Sequence, residues 1–242
     1  MSGRPDPEAP LMTEDATAIV AVAAHELKNA LGGIGVAIAR CEQRLLAGQA
    51  VTAADLGAAR GEIRRLSALV NDLLDGARVD LGEVHVQPVC FDLAALVDEV
   101  VGFFQAARDR PVAWQAPEGS VAIEADLERV RSVLVNYLEN AAKYAPAPAA
   151  ITVTIEASPV AGRVRLAVRD SGPGIDLADQ MRLFQRFSRG PGSARRTQGL
   201  GIGLYLCRSI AEAHGGAVGV ESSPGAGSIF WLDLPSPRVP AG

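Results

Sequence analysis

The chain has 242 residues, 48% of them apolar and 21% charged, enough for one large or two modest hydrophobic cores. A net charge of −5 and an isoelectric point near 5.3 provide no basic surface of the kind a nucleic-acid binder needs. No stretch approaches the roughly 20 apolar residues of a membrane span, and the opening MSGRPDPEAP has neither the basic start nor the apolar centre of a signal peptide.

In chain order, residues 1–12 read as a Pro-rich disordered tail. A long helix is predicted over 13–48, with Val20, Ala23, Leu27, Ala30, Ile34, Ala37 and Cys41 spaced three and four apart as a bundle seam. With Val20 at position a, His25 falls on the face farthest from the seam. Asn29 follows one turn along, and Glu26 lies beside them. A histidine held outward on a rigid helix is placed to meet something arriving from outside. Gly48-Gln49-Ala50-Val51 breaks the pattern, and Thr52 or Asp55 can cap the next helix. That helix repeats the spacing over Leu56, Ala59, Ile63, Leu66, Val70, Leu73 and Ala77. One hairpin cannot bury both stripes, so residues 13–79 predict a homodimeric four-helix bundle. A hairpin packed within a monomer is the alternative.

From about residue 80 the character changes, and 80–235 reads as an α+β sandwich, a mixed sheet with helices on one face. Strands are predicted at 83–89, 112–115, 121–124, 151–157, 163–169, 217–221 and 228–234. Asp92 caps a helix over 93–108, Asp126 caps one through about Lys143, and a third runs from Gly203 to His214. The stretch between 170 and 203 reads as irregular, and 236–242 as a second tail. Cys41, Cys90 and Cys207 match no metal spacing and read as buried free thiols in a reducing cytoplasm.

Four groups of residues can carry chemistry in the second domain. Asn136, Asn140 and Lys143 are four and three apart and share a helix face, with Tyr144 at its edge. Amide oxygens suit Mg²⁺ and an ammonium suits phosphate, although Asn and Lys also simply solvate helices. Asp170-Ser171-Gly172-Pro173-Gly174 follows a strand, where a carboxylate can accept a hydrogen bond from an exocyclic amine and glycines admit a flat ring; an ordinary turn has the same composition. Gly199-Leu200-Gly201-Ile202-Gly203 opens a helix, a weak anion-site signal by itself. Between them, Arg186, Arg189, Arg195 and Arg196 interleave with Gly190-Pro191-Gly192-Ser193, which reads as a lid over phosphates or as a solvated loop.

Taken in order, HELKN, NYLENAAKY, DSGPGI, LFQRF and GLGIGL resemble the H, N, G1, F and G2 boxes of the histidine protein kinases of two-component systems. The resemblance runs over about residues 13–235. It implies a dimerisation and histidine-phosphotransfer hairpin followed by a Bergerat-type (GHKL) ATP-binding domain, with ATP and Mg²⁺ as cofactors. His25 would be the phosphoacceptor and Glu26 would orient its imidazole and help remove the proton, because neutral imidazole is the nucleophile. Asn140 would hold Mg²⁺ with Asn136 and Lys143 in support, and Tyr144 would pack near the base. Asp170 would read the adenine amine over a floor made by Gly172 and Gly174, with Ile175, Leu200 and Leu204 also in the nucleotide site. Phe184 and Phe187 would anchor the lid carrying Arg195 and Arg196, and Gly199, Gly201 and Gly203 would cradle phosphates. The implied partners are a second copy and the receiver domain of a response regulator, and Asn29 would place water for hydrolysis of the regulator's phospho-aspartate.

Two departures qualify the resemblance. The family usually has proline after the Asn or Thr, where this chain has Ala30; Gly32, Gly33 and Gly35 follow, and they supply either a bend or close helix packing. Read as full length, the chain is cytoplasmic and bacterial, lacks a sensor of its own, and takes its signal through a separate sensory protein. Catalysis requires a mobile hinge near 76–82, and whether His25 is reached in its own chain or the partner's stays open. A chaperone-like or mismatch-repair-like ATPase is the rival enzyme, and a scaffold with a dead nucleotide site the rival binding protein. An outward His25 argues against the first and the intact Asn, Asp and Gly boxes against the second. His85 is expected on an exposed strand position, and His214 to cap or pack at a helix end.

Overall fold

The computed structural model describes residues 14–80, 85–108, 110–145, 147–186, 188 and 201–236. They form two compact units that part between Leu73 and Leu74. In the first, α1 (Glu14–Leu46) and the greater part of α2 (Ala53–Asp80) make an antiparallel hairpin. α1 ends in a Schellman motif: Gly48 takes φ 69°, Gln49 N–H donates to Arg44 C=O (2.8 Å) and Gly48 N–H to Leu45 C=O (3.0 Å). Thr52 then caps α2 through a reciprocal box, with Thr52 N–H donating to Asp55 Oδ2 (2.9 Å) and Asp55 N–H to Thr52 Oγ1 (3.3 Å). Thr52's hydroxyl and N–H, then Arg44 and Arg40, hold the Asp55 carboxyl below its ordinary range. Arg40 and Arg44 each approach it to 3.3 Å, which pins the turn across the two helices.

The predicted seam of α1 holds: Ala23 and Ala30 are buried, and Leu27, Ile34, Ala37 and Cys41 are half-buried. Within one chain α2 covers only part of its predicted seam. Its covered stripe runs Asp55, Ala59, Glu62, Leu66, Leu69, Leu73, whereas Leu56, Ile63 and Val70 are 49%, 50% and 40% exposed. α2 carries two adjoining apolar stripes, and an antiparallel partner of one helix covers only one. Of the three glycines of α1, Gly33 lies against Glu62, whose side-chain carbon would sit 2.8 Å from an added Cβ; Gly32 and Gly35 face open space. α1 passes through all three without a break.

The second unit begins within the last turns of α2. β1 (Val89–Asp92) pairs antiparallel with β3 (Ala122–Ala125) as a small separate sheet. The strand expected at 83–89 therefore starts only at Val89. Residues 85–88 are irregular, His85 is exposed there rather than in a strand, and 81–84 lie outside the described residues. Asp92 Oδ1 accepts from Ala94 N–H and Val121 N–H, both at 3.0 Å, so one carboxylate starts α3 (Leu93–Arg108) and ties it to β3. β2 (Val112–Trp114), β4 (Ile151–Ala157), β5 (Arg163–Asp170), β7 (Ser228–Pro235) and β6 (Ala217–Ser222) make the main sheet in the order β2-β4-β5-β7-β6. Only the β2–β4 pair is parallel, so the sheet is mixed as expected.

α3, α4 (Leu127–Tyr144) and α6 (Gly203–Ala213) share one core with that sheet. On α4, Val130, Val133, Leu134, Tyr137, Leu138 and Ala141 are buried at helical spacing. Tyr137 is fully buried, stacks 5.7 Å from Phe230 and donates its hydroxyl to Trp231 C=O at 3.1 Å. Alternation along β5 and β7 sends Val164, Leu166, Val168, Phe230, Leu232 and Leu234 into this core. On the opposite face, Arg165 forks onto the buried Asp233 (2.7 and 2.9 Å) and stacks 4.0 Å from the Trp231 ring. Burial alone would raise the Asp233 pKa, but the Arg165 fork and the Ser158 hydroxyl hold it below the ordinary value. α5 (Leu177–Gln180), a single turn capped by Asp176, lies in a stretch expected to be irregular. The cysteines are all free, but only Cys207 is buried; Cys41 is half-buried and Cys90 exposed on the edge of β1, which corrects the uniform burial expected.

Candidate functional site

On α1, His25 and Asn29 are both exposed, one turn apart, with Ala23 and Ala30 turned inward. An imidazole exposed there can meet a reaction partner arriving from solvent. Glu26 sits in the same helical turn, and its side chain lies outside the described residues.

In the second unit, four elements converge. α4 is started by Asp126, whose Oδ1 accepts from Arg129 N–H (3.1 Å) and Oδ2 from Gln87 N–H (2.9 Å). Desolvation opposes the charge on Asp126, but these N–H groups, with Arg129 and His214, hold its pKa below the usual value. Asp126 N–H donates to His214 Nε2 at 2.8 Å, while His214 Nδ1 meets Ile210 C=O at 2.8 Å. His214 therefore ties the end of α6 to the start of α4, with one ring nitrogen facing each. It packs at a helix end, as its place before two glycines suggested.

One edge of α4 carries the half-buried Asn136 and Asn140 and the exposed Lys143 and Tyr144. Asn140 Nδ2 donates to Asn136 Oδ1 at 3.0 Å, which leaves the Asn140 amide oxygen as the acceptor on that face. Lys143 Nζ lies 5.0 Å from the Tyr144 ring. Gly203, the first residue of α6, lies directly on Asn136: an added Cβ would stand 2.2 Å from its Nδ2. Only glycine permits this approach, which brings the start of α6 beside the two asparagines. Ile202, the cap residue of α6, supplies no side-chain hydrogen bond to the first turn, so among the described residues no side chain caps the N–H groups of Gly203 and Leu204 at the positive end of the helix dipole. Gly201 precedes them at φ 69°.

Asp170 closes β5 and is 5% exposed. Burial raises its pKa, opposed by the N–H groups of Gly172 and Ser228 and by the charge of Arg110; burial prevails. Gly172 N–H donates to Asp170 Oδ1 at 2.7 Å, so one oxygen orders the turn and the carboxylate keeps further acceptor capacity. Gly174 has φ 72°, and a Cβ there would meet Ser223 C=O at 1.9 Å. Ile175 N–H donates to Ser222 Oγ (2.9 Å), and Gln180 Nε2 holds Ile175 C=O (2.7 Å) and Ser222 C=O (2.9 Å). Phe184 is half-buried against the core. Phe187, Arg189, Arg195, Arg196, Gly199 and Leu200, with Gly190-Pro191-Gly192-Ser193, lie outside the described residues.

This arrangement fits a purine nucleotide with a divalent cation. A buried acceptor stands at one end, an uncapped helix start at the other, and an amide-bearing helix edge between them. Among the described residues no group of three or more His, Cys, Asp or Glu could hold a metal ion, so an ion would share Asn140 with ligand oxygens. Sequence reasoning missed Ser222, Gln180, His214's bond to Asp126, and Arg110. The bonds that tie them across the fold span 32 to 88 residues, alongside short-range ones from Gln180 to Ile175 and from Ser222 to Gly227 and Ser228.

Comparison with known proteins places these two units in one lineage. Residues 16–82 match the His Kinase A (phospho-acceptor) domain, and residues 125–238 match the histidine kinase-, DNA gyrase B- and HSP90-like ATPase model. The adaptive-response sensory kinase SasA of Synechococcus sp. (strain JA-2-3B'a(2-13)) is 31% identical over 91% of this chain and 59% of its own length. The sensor protein IrlS of Burkholderia pseudomallei (strain K96243) is 34% identical over 72% of this chain and 38% of its own. The chain thus spans roughly two fifths to three fifths of these relatives. Full-length ShkA in complex with AMPPNP superposes with a TM-score of 0.63 at 27% identity, covering 93% of this chain and 47% of that one. The histidine kinase ThkA in complex with the response regulator TrrA shares the fold at a TM-score of 0.63 and 23% identity, over 93% of this chain and 62% of that one. Among the described residues no helix is long and apolar enough to cross a membrane.

Proposed function

The chain belongs to the sensor histidine kinases, and on that premise we propose that it transfers the γ-phosphoryl group of ATP to His25 and passes it to an aspartate of a response regulator receiver domain. The observation that carries this is the coexistence, in one chain, of an exposed His25 on a helical hairpin and the Asn136–Asn140–Asp170 constellation beside an uncapped helix start. The imidazole nitrogen of His25 supplies the electron pair for a new N–P bond while the bond to the β-phosphate oxygen breaks and ADP leaves. Glu26 takes the role of orienting the ring and accepting its proton. Mg²⁺, held by Asn140 and the phosphates, would neutralise charge on the transferring group. Asn136 and Lys143 support that end, Tyr144 packs near the base, and Asp170 accepts the adenine amine. Gly172, Gly174 and Ile175 form the floor beneath it, and Gly201, Gly203 and Leu204 meet the phosphates. Phe184 anchors the lid; Phe187, Arg195, Arg196, Gly199 and Leu200 complete the lid and cradle as the family resemblance implies.

The hairpin is proposed to work as a homodimer. Leu31, Ile38 and Leu45 on α1 are 57%, 49% and 64% exposed at seven-residue intervals, and Leu56, Ile63 and Val70 repeat that interval on α2. Two such hairpins cover each other's stripes as a four-helix bundle. A cytoplasmic setting, input from a separate sensory protein, and a functional boundary at residues 79–80 belong to the same reading. Asn29, exposed one turn (~5.4 Å) from His25, is proposed to orient water for hydrolysis of the regulator's phospho-aspartate. Phosphorylated regulator mixed with Asn29→Ala should keep its phosphate several-fold longer than with the unaltered protein; an equal rate of loss removes this role.

The deciding experiment incubates the purified chain with γ-labelled ATP and Mg²⁺ beside His25→Ala. Acid-labile, alkali-stable label on the unaltered chain and none on the variant is expected. Label that persists in His25→Ala, or ATP binding without label, would refute the assignment.

A further inference from the structure

Arg110 stands between α3 and β2, outside every motif singled out in the sequence. Its guanidinium closes the C-terminal end of α4: Nη1 donates to Ala142 C=O (2.9 Å), and Nη2 to Ala145 C=O (2.6 Å) and Ala149 C=O (3.2 Å). These are carbonyls at and just beyond the helix end, where no intrahelical donor exists and the helix dipole is negative. Among the described residues the buried Nε has no hydrogen-bond partner, so the two Nη atoms do all of this work. The end of α4 that Arg110 holds carries Lys143 and Tyr144, one turn beyond Asn140. That same end abuts the adenine-reading turn. A Cβ on Gly172 would stand 3.1 Å from Tyr144 C=O and 2.8 Å from Asp170 Oδ1, so the α4 terminus and the Asp170 turn are in direct register.

We propose that Arg110 is a positioning residue of the nucleotide site, fixing the end of α4 against the Asp170–Gly172 turn and thereby setting how firmly the site holds the base of an adenine nucleotide. The inference rests on the nucleotide reading above and deepens it. Arg110 holds the α4 end from behind through three carbonyls, and that end in turn meets the Asp170 turn through Tyr144 C=O at Gly172. Electrostatics agree. Asp170 is raised by burial, and the groups opposing that shift are the N–H groups of Gly172 and Ser228 and the charge of Arg110. A carboxylate that must accept a hydrogen bond from adenine works only when ionised, so the positive charge extends nucleotide binding toward lower pH.

The test measures Mg-ADP binding to the full chain by calorimetry between pH 4.5 and 8, for the unaltered protein, Arg110→Met and Arg110→Lys, with thermal unfolding of each without nucleotide. Arg110→Met should weaken ADP binding about tenfold at pH 7.5 and move the acid limb of binding to higher pH, because Asp170 loses the charge that favours its ionised form. Arg110→Lys should return the acid limb toward the original while recovering only part of the affinity, since an ammonium cannot reproduce the planar fork onto three carbonyls. If the unaltered protein binds no ADP, the nucleotide reading itself fails. If it binds ADP and both variants match it in affinity and pH dependence, the Arg110 inference fails. A lowered unfolding midpoint with the acid limb unmoved in both variants would reduce Arg110 to a helix cap and overturn it equally. Should Arg110→Met not fold, Arg110→Lys decides, with unaltered affinity at every pH counting against the proposal.

Discussion

The two units solve the burial problem differently. The ATP-binding sandwich closes its own core: Leu93, Val97, Ile123, Leu134, Tyr137, Leu138, Ile151, Leu166 and Leu232 are buried to less than 2%. The hairpin does not. Leu46 is 88% exposed and Val36 71%, and the heptad stripes on both helices stay open. A domain with a finished core can hold a precise pocket, and Asp170 and the asparagines are fixed on it. A hairpin with an unfinished core offers surface, and His25 sits on such a surface. The structure thus separates an element whose shape is set internally from one that leaves an apolar face open.

Charging the open stripes should break this contrast most strongly. Leu31→Asp with Ile63→Asp would place carboxylates in the proposed bundle, where desolvation costs several kcal/mol, so dimer affinity should fall on the order of a thousandfold. Sedimentation should then show monomers at micromolar concentration, with the melting of the sandwich unchanged; dimers that persist would remove the two-copy model. The sandwich has its own weak point in Arg165. Arg165→Met strands the buried Asp233 and should cost about 3 kcal/mol of sandwich stability at pH 7, read by denaturant melts, with little effect on dimer assembly. Because the folded pKa of Asp233 is lowered, its contribution is present above the unfolded value and disappears as pH falls through the folded one.

Asp170 should behave oppositely. Its folded pKa is raised, so the empty sandwich gains stability from this group as pH falls, while ADP binding, which needs the carboxylate, weakens. About a tenfold loss of ADP affinity is expected across that titration, and Asp170→Asn should flatten the stability dependence; the two pH dependences running in parallel would contradict the assigned role. The smallest effect tests the hairpin from within. Gly32→Ala and Gly35→Ala face open space and should each stabilise α1 by up to about 1 kcal/mol. If the pair does so and leaves phosphorylation rates untouched, these glycines are not a functional bend. A faster melt would show that α1 is not a regular helix there.

Much of this molecule was legible locally. Asp92 and Asp126 sit where a carboxylate can accept from N–H groups of the first helical turn, and the helices begin at Leu93 and Leu127 as those caps require. Alternation over 151–157 and 163–169 gave strands within one residue of those observed. On α2, Leu56, Ile63 and Val70 are as apolar as Leu66, Leu69 and Leu73, yet only the latter are covered within one hairpin; periodicity finds a face but not which neighbour covers it. The strand expected at 83–89 failed for a similar reason, since alternation is satisfied there while pairing with β3 starts at Val89.

By itself the amino-acid sequence determined the order of elements, most helix starts and the identity of the motif residues, because caps, spacing and glycine requirements act within a few residues. Only the tertiary structure decided which stripe of the hairpin is closed and which is open. It also decided that His214 holds the start of α4, and that Arg110 holds the other end of that helix through the carbonyls of Ala142, Ala145 and Ala149. Each of these depends on atoms brought together from 28 to 88 positions apart, where no local propensity has a preference and the packed fold alone sets the partner.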